Sequence, residues 1–294
     1  MFRQVIRVSV VAVLVAVGGC GSDNDGTGAT SPASGLSATS IEHAEEIKAV
    51  VLQYEDGWVQ GDADSIAAVL DDDRFVFNEP GSTNLDKDEF MSLMEPFIGN
   101  TSVDSVDHRY FVGDDEVIHV QQAWGFGGGT SETNPAVEVD VFTVRDDAIT
   151  SIRSMYGAEF VARVAGVEWA RGAEEAVAAY ESAWSSGDAS EVAGLYADDA
   201  VRSEPLYGID SQGVDEIART ASERFARHPG TMMRVVEPYV FVSADTLAQT
   251  YGAMFVLEND SACKVLVLLE PDASGAITNE RVYFDTETLG SCHE

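Results

Sequence analysis

The chain is 294 residues long, with 51 acidic against 17 basic residues and a formal net charge of −34. Apolar residues make up 45% and charged ones 23%, a globular composition, and at about 100–200 residues per domain the length allows two domains that each bury a core. A chain this negative lacks the clustered Lys and Arg that nucleic-acid phosphates or anionic lipid headgroups demand, and neither is expected as a partner.

Residues 1–20 read MFRQVIRVSVVAVLVAVGGC. Arg3 and Arg7 form a short basic region, and Val8 to Val17 is an apolar run of ten residues. A bilayer span takes about 20, so the run has the length of a signal-peptide core. It closes on Val17-Gly18-Gly19-Cys20, which resembles the lipobox of bacterial lipoproteins, where small residues admit the signal peptidase and the cysteine becomes the lipid-bearing N-terminus. The alternative is an ordinary secretory signal with a chance cysteine. Residues 21–40 are rich in Gly, Ser, Thr and Asp without hydrophobic pattern, and as a flexible tether they reach roughly 25 Å. The resemblance implies lipidation at Cys20, a place in the cell envelope facing periplasm or exterior, and membrane contact through the lipid alone. Export leads to an oxidising compartment, where Cys263 and Cys292 are expected to bridge, two free thiols being the alternative.

An internal repeat organises the rest. Tyr54 to Ala67 (YEDGWVQGDADSIA) lies 126 positions before Tyr180 to Ala193 (YESAWSSGDASEVA), with Tyr54/Tyr180, Glu55/Glu181, Trp58/Trp184, Gly61/Gly187 and Asp62/Asp188 among the identical pairs. After one residue of slippage, Asp73/Asp198, Val76/Val201, Glu79/Glu204 and Pro80/Pro205 also pair. A period this long is a duplicated domain and not a solenoid, whose units run to about 20–50 residues.

Within each half, Ile47, Val51, Tyr54 and Trp58, and likewise Val177, Tyr180 and Trp184, recur at helical spacing, and Gly61 and Gly187 stand where a glycine ends such a helix. A second short helix follows, Asp188 with Glu191 reading as a capping box. Short strands at Phe75–Phe77 and at Val201 come next, then a third helix near Asp86–Phe97 and near Val214–Ala226. Four strands close each half: Tyr110–Val112, Val117–Phe126, Val137–Val144 and Ala148–Tyr156 in the first, and Tyr239–Val242, Leu247–Leu257, Cys263–Leu269 and Ala276–Phe284 in the second. Three helices before a run of antiparallel strands is an α+β layout, helices on one face of a curved sheet.

This order, with its Tyr…Trp…Gly-Asp…Asp-Asp stretch, resembles the SnoaL-like, nuclear transport factor 2-like superfamily. The resemblance implies two tandem cone-shaped domains, at 41–165 and 166–290, behind a signal peptide (1–20) and a tether (21–40). It is specific for fold and poor for activity, since the fold hosts isomerases, dehydratases, cyclases and inert binders. Members commonly pair through their sheets, so the duplication is expected to build an intramolecular pseudo-dimer.

The first third of the second half is similar to ketosteroid isomerase, in which a helix Tyr donates to the substrate oxyanion and an acid before a Pro shuttles the proton. Tyr180 and Glu204 match those two roles here, with Tyr54 and Glu79 as counterparts. A carboxylate in an apolar cavity rises towards neutral pKa and a buried phenol holds an enolate, so the chemistry is coherent. The match departs at a third acid: Lys264–Leu268 contains none, while the first half has Glu138 and Asp140, which of them faces inward depending on strand register. The structural alternative is a core Tyr and an acid that closes a turn.

SnoaL-like cyclases and scytalone dehydratase-like enzymes use His with Asp for proton transfer, so the resemblance implies His108 or His119 with Asp140 as such a pair, a solvated or structurally bonded strand histidine being the alternative. With Trp58 and Trp184 these are candidate pocket residues. Arg153 and Arg281 occupy matching final strands, where an inward Arg would favour a carboxylate-bearing ligand and a surface Arg would pair with an acid. His43, His228 and His293 have no acid or cysteine at ligand spacing, and Cys263, Cys292 and His293 make no zinc pattern, so no metal site is expected. No nucleophile-elbow, Walker or dinucleotide motif occurs, and no cofactor is expected. The reading favoured by the residues is a lipid-anchored module that binds a small apolar or carboxylated ligand or a partner protein. The alternative is a cofactor-independent isomerase or dehydratase.

Overall fold

The structure is a computed structural model that describes residues 38–78, 84–99, 104–124, 130–133, 135–157, 172–230, 233–242, 251–258, 263–272, 274–289 and 292. The leader, Cys20, most of the tether and Glu79 lie outside the described residues.

The first half runs α1 (Ala38–Gln60), α2 (Ala63–Ala68), β1 (Val76–Asn78), α3 (Lys87–Met94), β2 (Asp104–Val112), β3 (Glu116–Trp124), β4 (Ala136–Arg145) and β5 (Ala148–Gly157). The second runs α4 (Gly172–Ser186), α5 (Ala189–Ala193), β6 (Tyr196–Glu204), a 3-10 turn (Pro205–Tyr207), β7 (Ile209–Gln212), α6 (Val214–Arg227), β8 (Arg234–Val242), β9 (Tyr251–Glu258), β10 (Lys264–Pro271) and β11 (Ile277–Asp285). Local chemistry sets the boundaries. Gly61 and Gly187 take φ of 70° and 72°, the left-handed turn that ends α1 and α4. Asp62 and Asp188 then cap α2 and α5 by accepting from the amides of Ser65 and Ser190. The reciprocal capping box stands not at Asp188 but at Asp86, whose side chain takes the Glu89 amide while Glu89 returns to the Asp86 amide. Asp146 and Asp147, at φ of 52° and 61°, form the two-residue turn between β4 and β5.

The architecture is α+β with a curved sheet, and it differs from the expected wholly antiparallel sheet in two places. β1 lies parallel to β5, and β6 lies parallel to β11. In each half the partner is the last strand of a four-strand antiparallel meander, so β1 and β6 run opposite to the meander's first strand, β2 or β8, and parallel to its last. β6 is also longer than expected and folds back on β7 as a hairpin.

Within each half the four closing strands form a meander, and two junctions join the halves: Tyr156–Gly157 of β5 pair with Phe241–Val242 of β8, and Phe111–Val112 of β2 pair with Phe284–Asp285 of β11. The order β8-β9-β10-β11-β2-β3-β4-β5 therefore closes on itself as a ring. Strand alternation divides the core between two faces. Val112, Val117, Phe142 and Ile152 meet α1, whose Ala44, Ile47, Val51 and Tyr54 are buried at helical spacing. The other face gathers Phe111, Ile118, Val120, Val139, Val141 and Met155 of the first half with Leu266, Leu268 and Tyr283 of the second in one cluster. Cys263 and Cys292 are disulfide-bonded, with Cα atoms 4.9 Å apart, and tie the chain end to the start of β10.

Candidate functional site

The helix-facing side of the first half carries a polar cluster beneath α1. Glu138 and Asp140, two residues apart on β4, share that side; the question of which one faces inward dissolves because a strand repeats every two residues. Register sets Asp140 opposite His119 on β3 and opposite Ser154 on β5, whose hydroxyl donates to Asp140 Oδ1 at 2.5 Å. Burial pushes the Asp140 carboxyl up, opposed by the Ser154 hydrogen bond and by His119 and aided by Glu55, to about 6. Gln121 Nε2 donates to Glu138 Oε2 at 3.1 Å. Tyr54 packs edge-on against Trp58 and Phe142, with ring centroids 6.2 and 5.4 Å apart. Its phenol is held well above the usual value by burial and then by the Asp140 carboxylate, with a hydrogen bond from Trp58 opposing.

His119 is buried and anchors the rest. Its Nε2 lies 2.9 Å from His108 Nδ1, and its Nδ1 lies 2.8 Å from Glu55 Oε1. The ring stacks on Tyr110, whose hydroxyl donates to Glu55 Oε2. His108 is exposed and stands at the β2 bulge between Val106 and Arg109. Glu55, Tyr110 and Ser154 were not singled out from sequence; the repeat holds Glu55 beside Tyr54, but only the fold shows that both meet the sheet.

The equivalent face of the second half is filled differently. Arg202 on β6 is 2% exposed and lies opposite Glu280 of β11 in register. Its Nε donates to Glu280 Oε1 at 3.1 Å and its Nη2 to Glu204 Oε1, while the guanidinium covers the Trp184 ring at 4.8 Å. Tyr180 donates to Glu280 Oε1 at 2.7 Å, and Tyr196 donates to the other oxygen. Thus Tyr180 is joined to Glu280 and not to Glu204. Burial works against ionisation of Glu204, but Arg202 and then Arg224 outweigh it and hold the carboxyl below its ordinary range, the opposite of the upward shift expected for a general base. Glu280 was missed because the third acid was sought one strand earlier, in Lys264–Leu268.

Arg153 and Arg281 lie on the other face from both clusters. Strand alternation sets Arg153 beside Met155 and Arg281 beside Tyr283, towards the ring interior, and each reaches an acid of the opposite half: Arg153 to Glu270 at 4.0 Å, Arg281 to Glu116 at 3.3 Å. Of the two readings open from sequence, pairing with an acid describes both arginines, and the acid belongs to the other half. A separate groove of about 320 Å³ runs between His43, Glu46, Ile47 and Val50 of α1 and the turns at Asp115 and Asp146–Asp147.

Residues 51–152 match the family described as the SnoaL-like domain. Similar solved structures include a SnoaL-like protein of unknown function from Burkholderia thailandensis, at 12% identity over 38% of this chain and 93% of that one, TM-score 0.33. A nuclear transport factor 2-like protein from Burkholderia xenovorans is similar at 19% identity over 41% of this chain and 96% of that one, TM-score 0.33. A protein of ketosteroid isomerase-like fold from Catenulispora acidiphila, solved with trimethylamine, is similar at 18% identity over 37% and 84%, TM-score 0.30. No curated protein matches the chain.

Proposed function

We propose that this is an exported, lipid-anchored protein of two tandem SnoaL-like domains, in which the first binds a small molecule on its helix-facing sheet surface and the second is its built-in structural partner. The observation that carries the reading is the unequal furnishing of the two equivalent faces. In the first half Tyr54 and Ser154 attend Asp140 and Gln121 attends Glu138, and among the described residues no arginine joins Asp140. In the second, Arg202 takes up both carboxylates and covers Trp184.

Aromatic walls from Tyr54, Trp58 and Phe142 beside carboxylates suit a ligand with an apolar body and a hydrogen-bond-donating or cationic end. A carboxylated ligand loses its support, because Arg153 and Arg281 are paired on the other face. The isomerase-like reading is less supported in the second half, where Tyr180 and Glu204 do not meet. Export and lipidation rest on the leader and on Cys20.

Mass spectrometry of small molecules released from protein purified from its host tests the binding. A molecule is expected with the wild type and with Glu204→Gln, and is expected to be lost from Tyr54→Phe and Asp140→Asn. Retention by both of these variants would exclude the first-half site. For the anchor, Cys20→Ala should leave the membrane fraction; its retention there at wild-type level would exclude lipidation.

A further inference from the structure

We propose that Glu55, His108 and His119 bind one divalent transition-metal ion of the zinc class. One nitrogen from each imidazole and one carboxylate oxygen lie within 4.8 Å of one another, supplied by three separate elements, α1, β2 and β3. An ion about 2.1 Å from each donor sets neighbouring donors about 3.0–3.4 Å apart. His108 Nδ1 and His119 Nε2, at 2.9 Å, already stand near that spacing. The carboxylate has to close by an ångström or so, a movement that a glutamate side chain makes by torsion alone.

Two further observations point the same way. Glu55 Oε1 is buried without a hydrogen-bond partner although it lies 2.8 Å from His119 Nδ1, so the approach lacks hydrogen-bond geometry. An enclosed carboxylate oxygen left in that state is costly, and a cation satisfies it. The surrounding groups also hold the donors as outer partners of a metal site do. Tyr110 donates to the other Glu55 oxygen, and Ser105 Oγ lies 3.2 Å from His108 Nε2, leaving Nδ1 turned towards His119. Exposure of His108 leaves room for water to complete the coordination.

Two imidazoles with one carboxylate select zinc and its first-row neighbours over magnesium and calcium, which require oxygen donors. The site shares the helix-facing surface assigned above to ligand binding and deepens that reading. Its readout is metal affinity, so failure here leaves ligand retention standing, and the reverse also holds.

The test uses the full chain stripped of metal by chelation, titrated with Zn²⁺ against a chromophoric chelator and with Co²⁺ followed by visible absorption. One ion per chain is expected. His108→Ala, at an exposed position, and Glu55→Gln, of unchanged shape, should each weaken binding by ~100-fold, and Tyr110→Phe by ~10-fold. His43→Ala, beside the exposed Asp114 and the half-buried Asp115, should leave it unchanged. Absence of saturable binding, binding indifferent to both His108→Ala and Glu55→Gln, or binding lost in His43→Ala would each overturn the proposal.

Discussion

Replacing Arg202 by Met removes the cation beneath Trp184 while keeping most of the side-chain volume. Three effects compete. Loss of the cation–π contact, at 4.8 Å, costs about 0.5–2 kcal/mol. Relief from burying a guanidinium is favourable. Against this, Glu280 is fully buried and among the described residues keeps the two hydroxyls of Tyr180 and Tyr196, a stranded charge that costs about 3–5 kcal/mol. Glu204 fares better, because Arg224 stands 3.5 Å from it and is a third exposed.

The stranded Glu280 dominates, and the net loss should be about 3–5 kcal/mol, out of a total of about 5–15 for a domain. With a urea slope of about 3 kcal/mol per molar, the midpoint should fall by about 1–1.7 M. Trp184 fluorescence reports the transition, since Arg202 covers its ring. Adding Glu280→Gln to Arg202→Met should recover most of the loss, and adding Glu204→Gln should recover less. A midpoint shift below about 0.3 M for Arg202→Met, or a double variant no more stable than the single one, would refute the reasoning that buried-charge compensation holds this half together.

Four other outcomes can be measured. Because Glu204 is held below its ordinary pKa, its contribution is present above the unfolded value of about 4.3 and is lost as pH falls through the folded one; acid-unfolding curves of Glu204→Gln should therefore show a shallower limb below about pH 4.5, and an unchanged slope would count against the pairing. Cys263→Ser/Cys292→Ser opens a link spanning 29 residues and should cost about 3–4 kcal/mol in non-reducing denaturant melts, with no further loss on adding reductant. Ile118→Ala, in the cluster shared with Leu266 and Leu268, should cost about 2–5 kcal/mol and keep a single calorimetric transition; separate transitions for the two halves would reject the shared core. Small-angle scattering should give a radius of gyration of about 18–20 Å for residues 41–294, as for one compact body, and a profile of two beads on a linker would contradict the ring closure.

Features settled within a few residues were legible in the sequence. Gly61, Gly187 and the Asp caps after them act over one turn, and the repeat of Tyr54 and Tyr180 follows from helical spacing, so helix positions emerged with small errors at their ends. What depends on pairing between distant strands was not legible. Glu280 meets Arg202 because β11 lies parallel to β6 in one particular register, and β6, with Asp198 and Asp199 exposed in its middle, has too little alternation to read as a long strand. His108 meets His119 because a bulge shifts β2 by one residue, and no spacing between positions 55, 108 and 119 marks a shared site. The strands of Arg153 and Arg281 were legible but their face was not, since two adjacent residues of a strand differ only in which side they take.

The ring explains how the two halves can carry such different interiors. Besides the strand pairings at the two junctions, the halves share the ion pairs Arg153–Glu270 and Arg281–Glu116, all of whose members keep some exposure, and the apolar cluster that runs from Phe111 and Ile118 to Leu266 and Leu268. Partly exposed pairs contribute about 0–1 kcal/mol each, whereas burying one large apolar side chain contributes about 1.5–3, so the cluster outweighs the pairs in holding the halves together. That cluster occupies the ring side of β2, β3, β4, β5, β10 and β11, and the Asp140 and Glu280 networks occupy the helix side. Because side chains alternate, a substitution in one network leaves the joining face untouched. The second half can therefore fill its helix-facing surface with Arg202 without disturbing the joining face, while among the described residues no arginine joins Asp140, His119 or Glu55 on the surface where binding is proposed.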